Sequence, residues 1–222
     1  MQTKLISITR PLIEGINTPG ELIAYTARVS NPGNQLNTET APKLLKYLIR
    51  NKHWSPFEMV HATFEINTTR DIARQILRHR SFSFQEFSQR YADASQMGFE
   101  FSEARLQDAK NRQNSVVTDD QHTVDWWEQA QKHVVNLTKV LYQDALNKGL
   151  AKEQARKLLP EGLTGSRLYM SGSIRSWIHY CSPYQGVRAE NGTQKEHRDI
   201  ALSCWNQLLE AVPELELVNE KE

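Results

Sequence analysis

Apolar residues at Val60, Ala62, Phe64 and Ile66 alternate with His61, Thr63 and Glu65. This period of two predicts a strand with one buried face. A second strand is predicted over 4–9, ended by Pro11, and a short one over 167–170. Elsewhere the period is helical. A helix is predicted over 21–28 after Pro19-Gly20, and another from Thr40 as cap, with Pro42 in its first turn. Leu44, Leu45, Leu48 and Ile49 form the apolar face of that second helix. Thr68 or Thr69 would cap a helix reaching about His79, with Ile72, Ala73, Ile76 and Leu77 as its stripe. A long helix is predicted within 119–148, with Trp127, Val134, Leu137, Leu141 and Ala145 facing the core and Gly149 as its stop. Further helices are predicted over 151–159, 173–181 and 193–209, and 91–118 reads as a long surface excursion. No strand–helix–strand rhythm recurs, so the pattern predicts an α+β fold. It would be a single domain over 1–222, with a small antiparallel or mixed sheet and several long helices.

Composition narrows the function. Lys and Arg number 27 against 26 Asp and Glu, a net charge of +1, which argues against a basic coat for nucleic acid or a membrane surface. A hydrophobic fraction of 39% and a charged fraction of 24% belong to a folded chain. No apolar run reaches a membrane span and the first residues lack a signal-peptide pattern, so a cytoplasmic protein without a membrane partner is expected. Cys181 and Cys204, the two cysteines, read as small buried thiols. Neither GxGxxG nor GxxxxGK(S/T) occurs, so no Rossmann or P-loop cradle is expected. Without HExxH or CxxC, no metal site is expected either.

The densest chemistry lies in RDIARQILRHRSFSFQEFSQRY, residues 70–91. On a helix Arg70, Arg74 and Arg78 share a face bordered by Gln75. If 81–91 is extended, Glu86, Ser88 and Arg90 point to one side. Guanidinium forks beside a carboxylate acceptor suit a nucleotide better than a simple anion. Two other readings remain at this point. The arginines could be solvated and paired with surface carboxylates. Alternatively, the cations interleaved with Phe82, Phe84 and Phe87 could form a stacking groove for RNA or a single strand, unless the rings pack in the core.

The residues Arg78-His79-Arg80-x-x-Ser83-x-Gln85-Glu86-x-Ser88-x-Arg90-Tyr91 resemble the signature of the flavin-dependent thymidylate synthases, RHRxxSxNExSxRY, with Gln85 where Asn is usual. Four further elements resemble that family: His53-x-Ser55-Pro56-Phe57-Glu58, Ala155-Arg156-x-x-Leu159-Pro160, Arg175-Ser176-Trp177-x-His179, and Arg188 followed by Thr193-Gln194-x-Glu196. The resemblance spans roughly 4–209. It implies reductive methylation of deoxyuridine monophosphate (dUMP), with FAD as hydride carrier. NADPH and 5,10-methylenetetrahydrofolate would be co-substrates, and no covalent protein nucleophile would be needed. It also implies a homotetramer with active sites where subunits meet, and no nucleic-acid polymer as partner. By the same resemblance Ser55, Arg78, His79, Arg80, Glu86, Ser173, Arg175 and His179 would contact the flavin. Gln75, Arg78, Glu86, Ser88, Gln89, Arg90, Arg156 and Arg188 would hold dUMP. Arg188 would stabilise charge developing on the uracil, and His53 would meet flavin or folate. The connection from His179 to Arg188 is longer than the family's, and Pro183 and Gly186 predict a loop there. A flavin reductase without methyl transfer is the alternative within flavin chemistry.

Overall fold

The computed structural model describes residues 1–190 and 192–219. Its main sheet has four strands: β1 (Gln2–Ile8), β2 (His61–Thr69), β3 (Ser83–Glu86) and β6 (Gly165–Ser173), in the order β1-β2-β6-β3. β4 (Arg105–Gln107) and β5 (Ser115–Val117) form a separate antiparallel pair. The helices are α1 (Pro19–Ala27), α2 (Ala41–Arg50), α3 (Arg70–Ile76), α4 (Gln121–Asn147), α5 (Lys152–Ala155), α6 (Ile174–Cys181) and α7 (Lys195–Ala211). The α+β class is therefore as the pattern predicts. Among the described residues no helix is long and apolar enough to cross a membrane.

β2 alternates buried and half-exposed residues, as period two requires. Its half-exposed face pairs with β6 rung by rung. The Thr63 hydroxyl donates to Ser171 (2.9 Å), the Tyr169 hydroxyl to Glu65 (3.0 Å), and Arg167 Nε to Asn67 (2.9 Å). Partners that climb on one strand as they descend on the other define an antiparallel pair.

The chain folds into two compact units. One comprises Thr3–Glu65, Arg80–Phe84 and Tyr169–Glu222; the other Met1–Gln2, Ile66–His79 and Gln85–Leu168. In the first of these, α1 packs on α2 and α6 on α7. A capping box starts α1: Glu21 N–H donates to the Thr18 hydroxyl and Thr18 N–H to the Glu21 carboxylate, each at 3.1 Å. The core centres on Trp177, fully buried, with Phe82 at 4.7 Å and Phe64 at 4.8 Å between ring centroids. Its indole N–H donates to Ala62 C=O at 3.1 Å, so no polar atom of the ring is stranded. Gly172 admits Phe82: a Cβ there would lie 2.5 Å from the ring.

In the second unit α4 is capped by Asp120, whose carboxylate accepts from Thr123 N–H (3.1 Å), and is closed by Gly149 at φ 79°. Ala94, Tyr142, Ala145 and Ala155 form its small core.

Several expectations need correction. The predicted core face of α4 is displaced. Ala145 is buried and Trp127 half-buried, but Val134, Leu137 and Leu141 are 42–53% exposed. The buried stripe is Gln131, Val135, Thr138, Tyr142 and Ala145. Its polar members have partners. Gln131 bonds both Ser102 N–H (2.9 Å) and C=O (3.0 Å), and the Tyr142 hydroxyl accepts from Ala94 N–H (3.2 Å). Satisfied polar groups bury readily, so apolarity alone misjudges this face. Thr40 does not cap α2 with its side chain; its hydroxyl accepts from Arg28 instead (2.8 Å). α3 stops at Ile76, β6 runs to nine residues, and 91–118 holds the β4–β5 hairpin rather than only loop. Phe82 is core rather than a stacking platform.

The Gly172–Phe82 contact gives a direct test. Gly172→Ala should lower stability by about 1–3 kcal/mol through overpacking. In a Phe82→Leu background the same change should be less damaging, a coupling readable by a double-mutant cycle in chemical denaturation.

Candidate functional site

In the unit containing α3 the signature segment builds one constellation. β3 ends at Glu86, and Phe87 N–H donates to Arg167 C=O at 2.8 Å. The chain then turns rather than continuing extended: Tyr91 N–H (3.2 Å) and Ala92 N–H (3.1 Å) both donate to Ser88 C=O. The expected row of Glu86, Ser88 and Arg90 along one strand face is thus replaced by a strand end and a turn. Glu86 is fixed by the Ser166 hydroxyl (2.9 Å) and Arg70 (3.4 Å), both on its Oε1. Neither partner was singled out from the sequence; Arg70 lay on the basic helix face, and Ser166 gave no signal.

Gln89 is the most telling residue of this turn. It is 4% exposed, yet its Nε2 has no partner. An unmatched buried donor is rare enough in folded proteins to demand a reason. Close by in the chain's packing, Lys152 of α5 donates to Tyr91 C=O (2.8 Å) and Glu153 pairs with Arg90 (3.5 Å), so Arg156, which follows α5, belongs to the same neighbourhood. Arg74 is paired with Glu161. Arg78 and His79 lie in the turn after α3, past its last residue. Among the described residues no carboxylate pairs with Arg78, Arg80 or Arg156. Gln75 and His79 are engaged within the chain.

The other unit holds a second constellation. On α6 Arg175 and His179 are one turn apart and exposed, while Ile174, Trp177, Ile178 and Cys181 are buried. Ser173 caps α6, accepting from Ser176 N–H at 3.3 Å. Arg175 pairs with Glu58 and stands on the wall of two cavities. One, of ≈ 420 Å³, is lined by Trp54, Glu58, Ser81, Arg175, His179 and Gln185 among others. The next, of ≈ 550 Å³, is lined by Lys52, His53, Trp54, Ser55, Pro56 and Arg175 together with Ala27 and Leu48. His53 is set edge-on to Tyr47, ring centroids 6.0 Å apart. Of these, Glu58 was visible in the motif; Lys52, Ser81 and Gln185 carried no signal.

The long connection before Arg188 proves to be a closed loop. Gly186 N–H donates to Ser182 C=O (2.7 Å), Val187 N–H to His179 C=O (2.9 Å) and Arg188 N–H to Tyr180 C=O (3.0 Å). The extra residues bulge out and Arg188 returns to the last turn of α6. Beneath it the Tyr180 hydroxyl meets His197 at 3.0 Å, both fully buried, so His197 is a core residue. Burial raises the pKa of both Cys181 and Cys204; the neighbouring Cys204 raises that of Cys181 further, and a hydrogen bond with Thr3 lowers that of Cys204.

Within an α+β fold, the described residues thus present guanidiniums without a carboxylate partner (Arg78, Arg80, Arg156), a fixed carboxylate (Glu86) and a buried amide donor (Gln89), with no glycine-rich phosphate loop. The family model described as thymidylate synthase complementing protein matches residues 11–214, and the chain belongs to that family. The probable flavin-dependent thymidylate synthase of Paramecium bursaria Chlorella virus 1 is 51% identical over 215 residues, 97% of each chain. The flavin-dependent thymidylate synthase of Synechocystis sp. is 55% identical over 207 residues, 92% of each. In fold, a crystallised UMP/dUMP methylase from Streptomyces cacaoi aligns with a TM-score of 0.77 over 98% of this chain and 94% of its own, at 24% identity.

Two outcomes follow. Gln89→Leu removes a buried donor that has no partner, so ligand-free stability in chemical denaturation should hold or rise by about 1 kcal/mol; a structural role would lower it. The buried thiols should not react with a disulfide reagent at pH 8 in the native protein and should both react once it is unfolded. Because their pKa values are raised on folding, the stability they contribute is full below about pH 8.5 and is lost as pH rises above it.

Proposed function

We propose that the chain is a flavin-dependent thymidylate synthase. It methylates dUMP to thymidylate with carbon from 5,10-methylenetetrahydrofolate and electrons from NADPH, acting in the cytoplasm as a homotetramer with active sites at subunit interfaces. The whole chain, 1–222, serves as one catalytic domain. The observation that carries this reading is the unpartnered Gln89 donor, inside a segment that resembles the family's signature and three residues after the fixed Glu86, in a chain whose family match covers residues 11–214.

Methylation at carbon 5 asks the pyrimidine to become nucleophilic there, so charge develops on its oxygens. Gln89 Nε2 donates to a pyrimidine carbonyl and gains the partner it lacks. Glu86, held through Oε1, offers Oε2 to a ring N–H or a ribose hydroxyl. Ser88 and Gln75 add polar contacts. Arg78, Arg90 and Arg156 take the phosphate, Arg90 exchanging the exposed carboxylate of Glu153 for it. Arg188 stabilises the developing oxyanion, its backbone fixed by Tyr180.

The donor set fits FAD. Guanidinium and imidazole groups suit its diphosphate, and Trp54 offers a flat apolar surface. FAD supplies hydride transfer when bound. Arg175, His179, Ser55 and Ser173 hold it, with Arg80; Arg78, His79 and Glu86 take the remaining contacts. His53 orients the partner that approaches the flavin. No side chain serves as covalent nucleophile, and the buried, high-pKa thiols support that.

Anaerobic incubation with FAD, NADPH, dUMP and methylenetetrahydrofolate should yield thymidylate. Arg90→Ala should lower kcat/KM for dUMP about 10- to 100-fold, the loss of a charge-assisted contact. NADPH oxidation without thymidylate would instead favour the reductase.

A further inference from the structure

One wall of the ≈ 550 Å³ cavity is built by a residue outside every motif. Helix α2 ends with Asn51 as its C-cap. Lys52 N–H then donates to Ile49 C=O (3.1 Å) and His53 N–H to Leu48 C=O (2.8 Å). This paired closure favours glycine at the position Lys52 occupies, because the backbone there is left-handed. Lys52 has φ 55°, the one positive φ on a non-glycine among the described residues. The chain itself provides the comparison. α4 closes in the same way, Gly149 N–H to Leu146 C=O (2.9 Å) and Leu150 N–H to Ala145 C=O (3.0 Å), and there the residue is glycine, at φ 79°.

The two closures differ in what surrounds them. A Cβ on Gly149 would meet nothing within 4 Å, whereas Lys52 lines a cavity with His53, Ser55, Trp54 and Arg175; among the described lining residues there is no carboxylate, and the one charge that offsets these cations is Glu58, paired with Arg175. Interaction with the helix dipole does not require a lysine at this strained position, since Arg50 already puts a cation in the last turn of α2. His53 is oriented by Tyr47, and Arg175 reaches the cavity from α6. A strained backbone retained beside a cationic cavity is the kind of outlier that points to function.

We propose that Lys52, with His53 and Arg175, forms an anion subsite that anchors the phosphate- or carboxylate-bearing end of a substrate reacting with the flavin. This rests on the synthase reading, under which two substrates carry such an end: NADPH through its 2′-phosphate, and the folate through its glutamate carboxylates. The shared chemistry is a terminal oxyanion held by an ammonium and a guanidinium.

The test is calorimetric titration of the FAD-loaded protein with NADPH, NADH, and methylenetetrahydrofolate carrying either a single glutamate or a polyglutamate tail. Lys52→Gly relieves the backbone, so its Tm should hold or rise by up to about 4 °C, while its flavin affinity stays that of the parent. Its Kd for the anchored substrate should weaken about 5- to 20-fold. Weakening confined to NADPH over NADH assigns the phosphate; weakening that grows with the polyglutamate tail assigns the carboxylates. Lys52→Arg should restore affinity to within about threefold, which a backbone effect alone would not do. Unchanged Kd values for all four ligands in Lys52→Gly overturn the subsite alone, and so does a parallel loss of flavin affinity. Failure of the parent protein to bind any of the four overturns both the subsite and the synthase reading.

Discussion

The burial of Trp177 is the constraint on which the unit that carries α6 depends. The ring fills the space between Phe64 of β2, Phe82 and Tyr180, and its N–H is spent on Ala62. Because α6 repeats every 3.6 residues, seating Trp177 inward leaves Arg175 and His179 outward. The same helix supplies the carbonyls of His179 and Tyr180 that retrieve Arg188 after its loop. A buried aromatic thus fixes three charged or polar groups that it never touches. Gly172 belongs to this arrangement, since only a residue without a Cβ lets Phe82 lie against the strand.

Much of this was legible in the sequence where one signal dominated. The alternation in β2 reflects a single buried face, 173–181 reads as a helix, and the structure reproduces both. The long α4 was legible as a helix but not in its orientation. It carries two candidate faces, and the buried one is chosen by Gln131 and Tyr142, whose partners Ser102 and Ala94 are distant in sequence. The signature residues were legible as a set, but their geometry was not. Whether Ser88 and Arg90 continue a strand depends on a turn closed by the carbonyl of Ser88, and no composition rule announces it. Likewise Pro183 and Gly186 showed that a loop interrupts the path to Arg188, while the hydrogen bonds that close the loop could be seen only in three dimensions.

The ion pairs of this chain fall into two kinds according to their exposure to solvent. Arg74 with Glu161, Arg90 with Glu153 and Arg175 with Glu58 are all solvent-accessible, roughly half exposed on each side. Pairs of that kind contribute about 0–1 kcal/mol. A phosphate offering two charge-assisted contacts can therefore displace the carboxylate with little loss. Arg70 with Glu86 is different: the side chains are 14% and 22% exposed, and the same carboxylate oxygen also takes the Ser166 hydroxyl. Removing either partner there would leave a largely desolvated charge without its match. The exposed pairs can thus be broken at little cost, whereas the half-buried one is a permanent support. That division follows from solvent screening alone, and it separates three arginines whose carboxylate partners are easily exchanged from the one that positions Glu86.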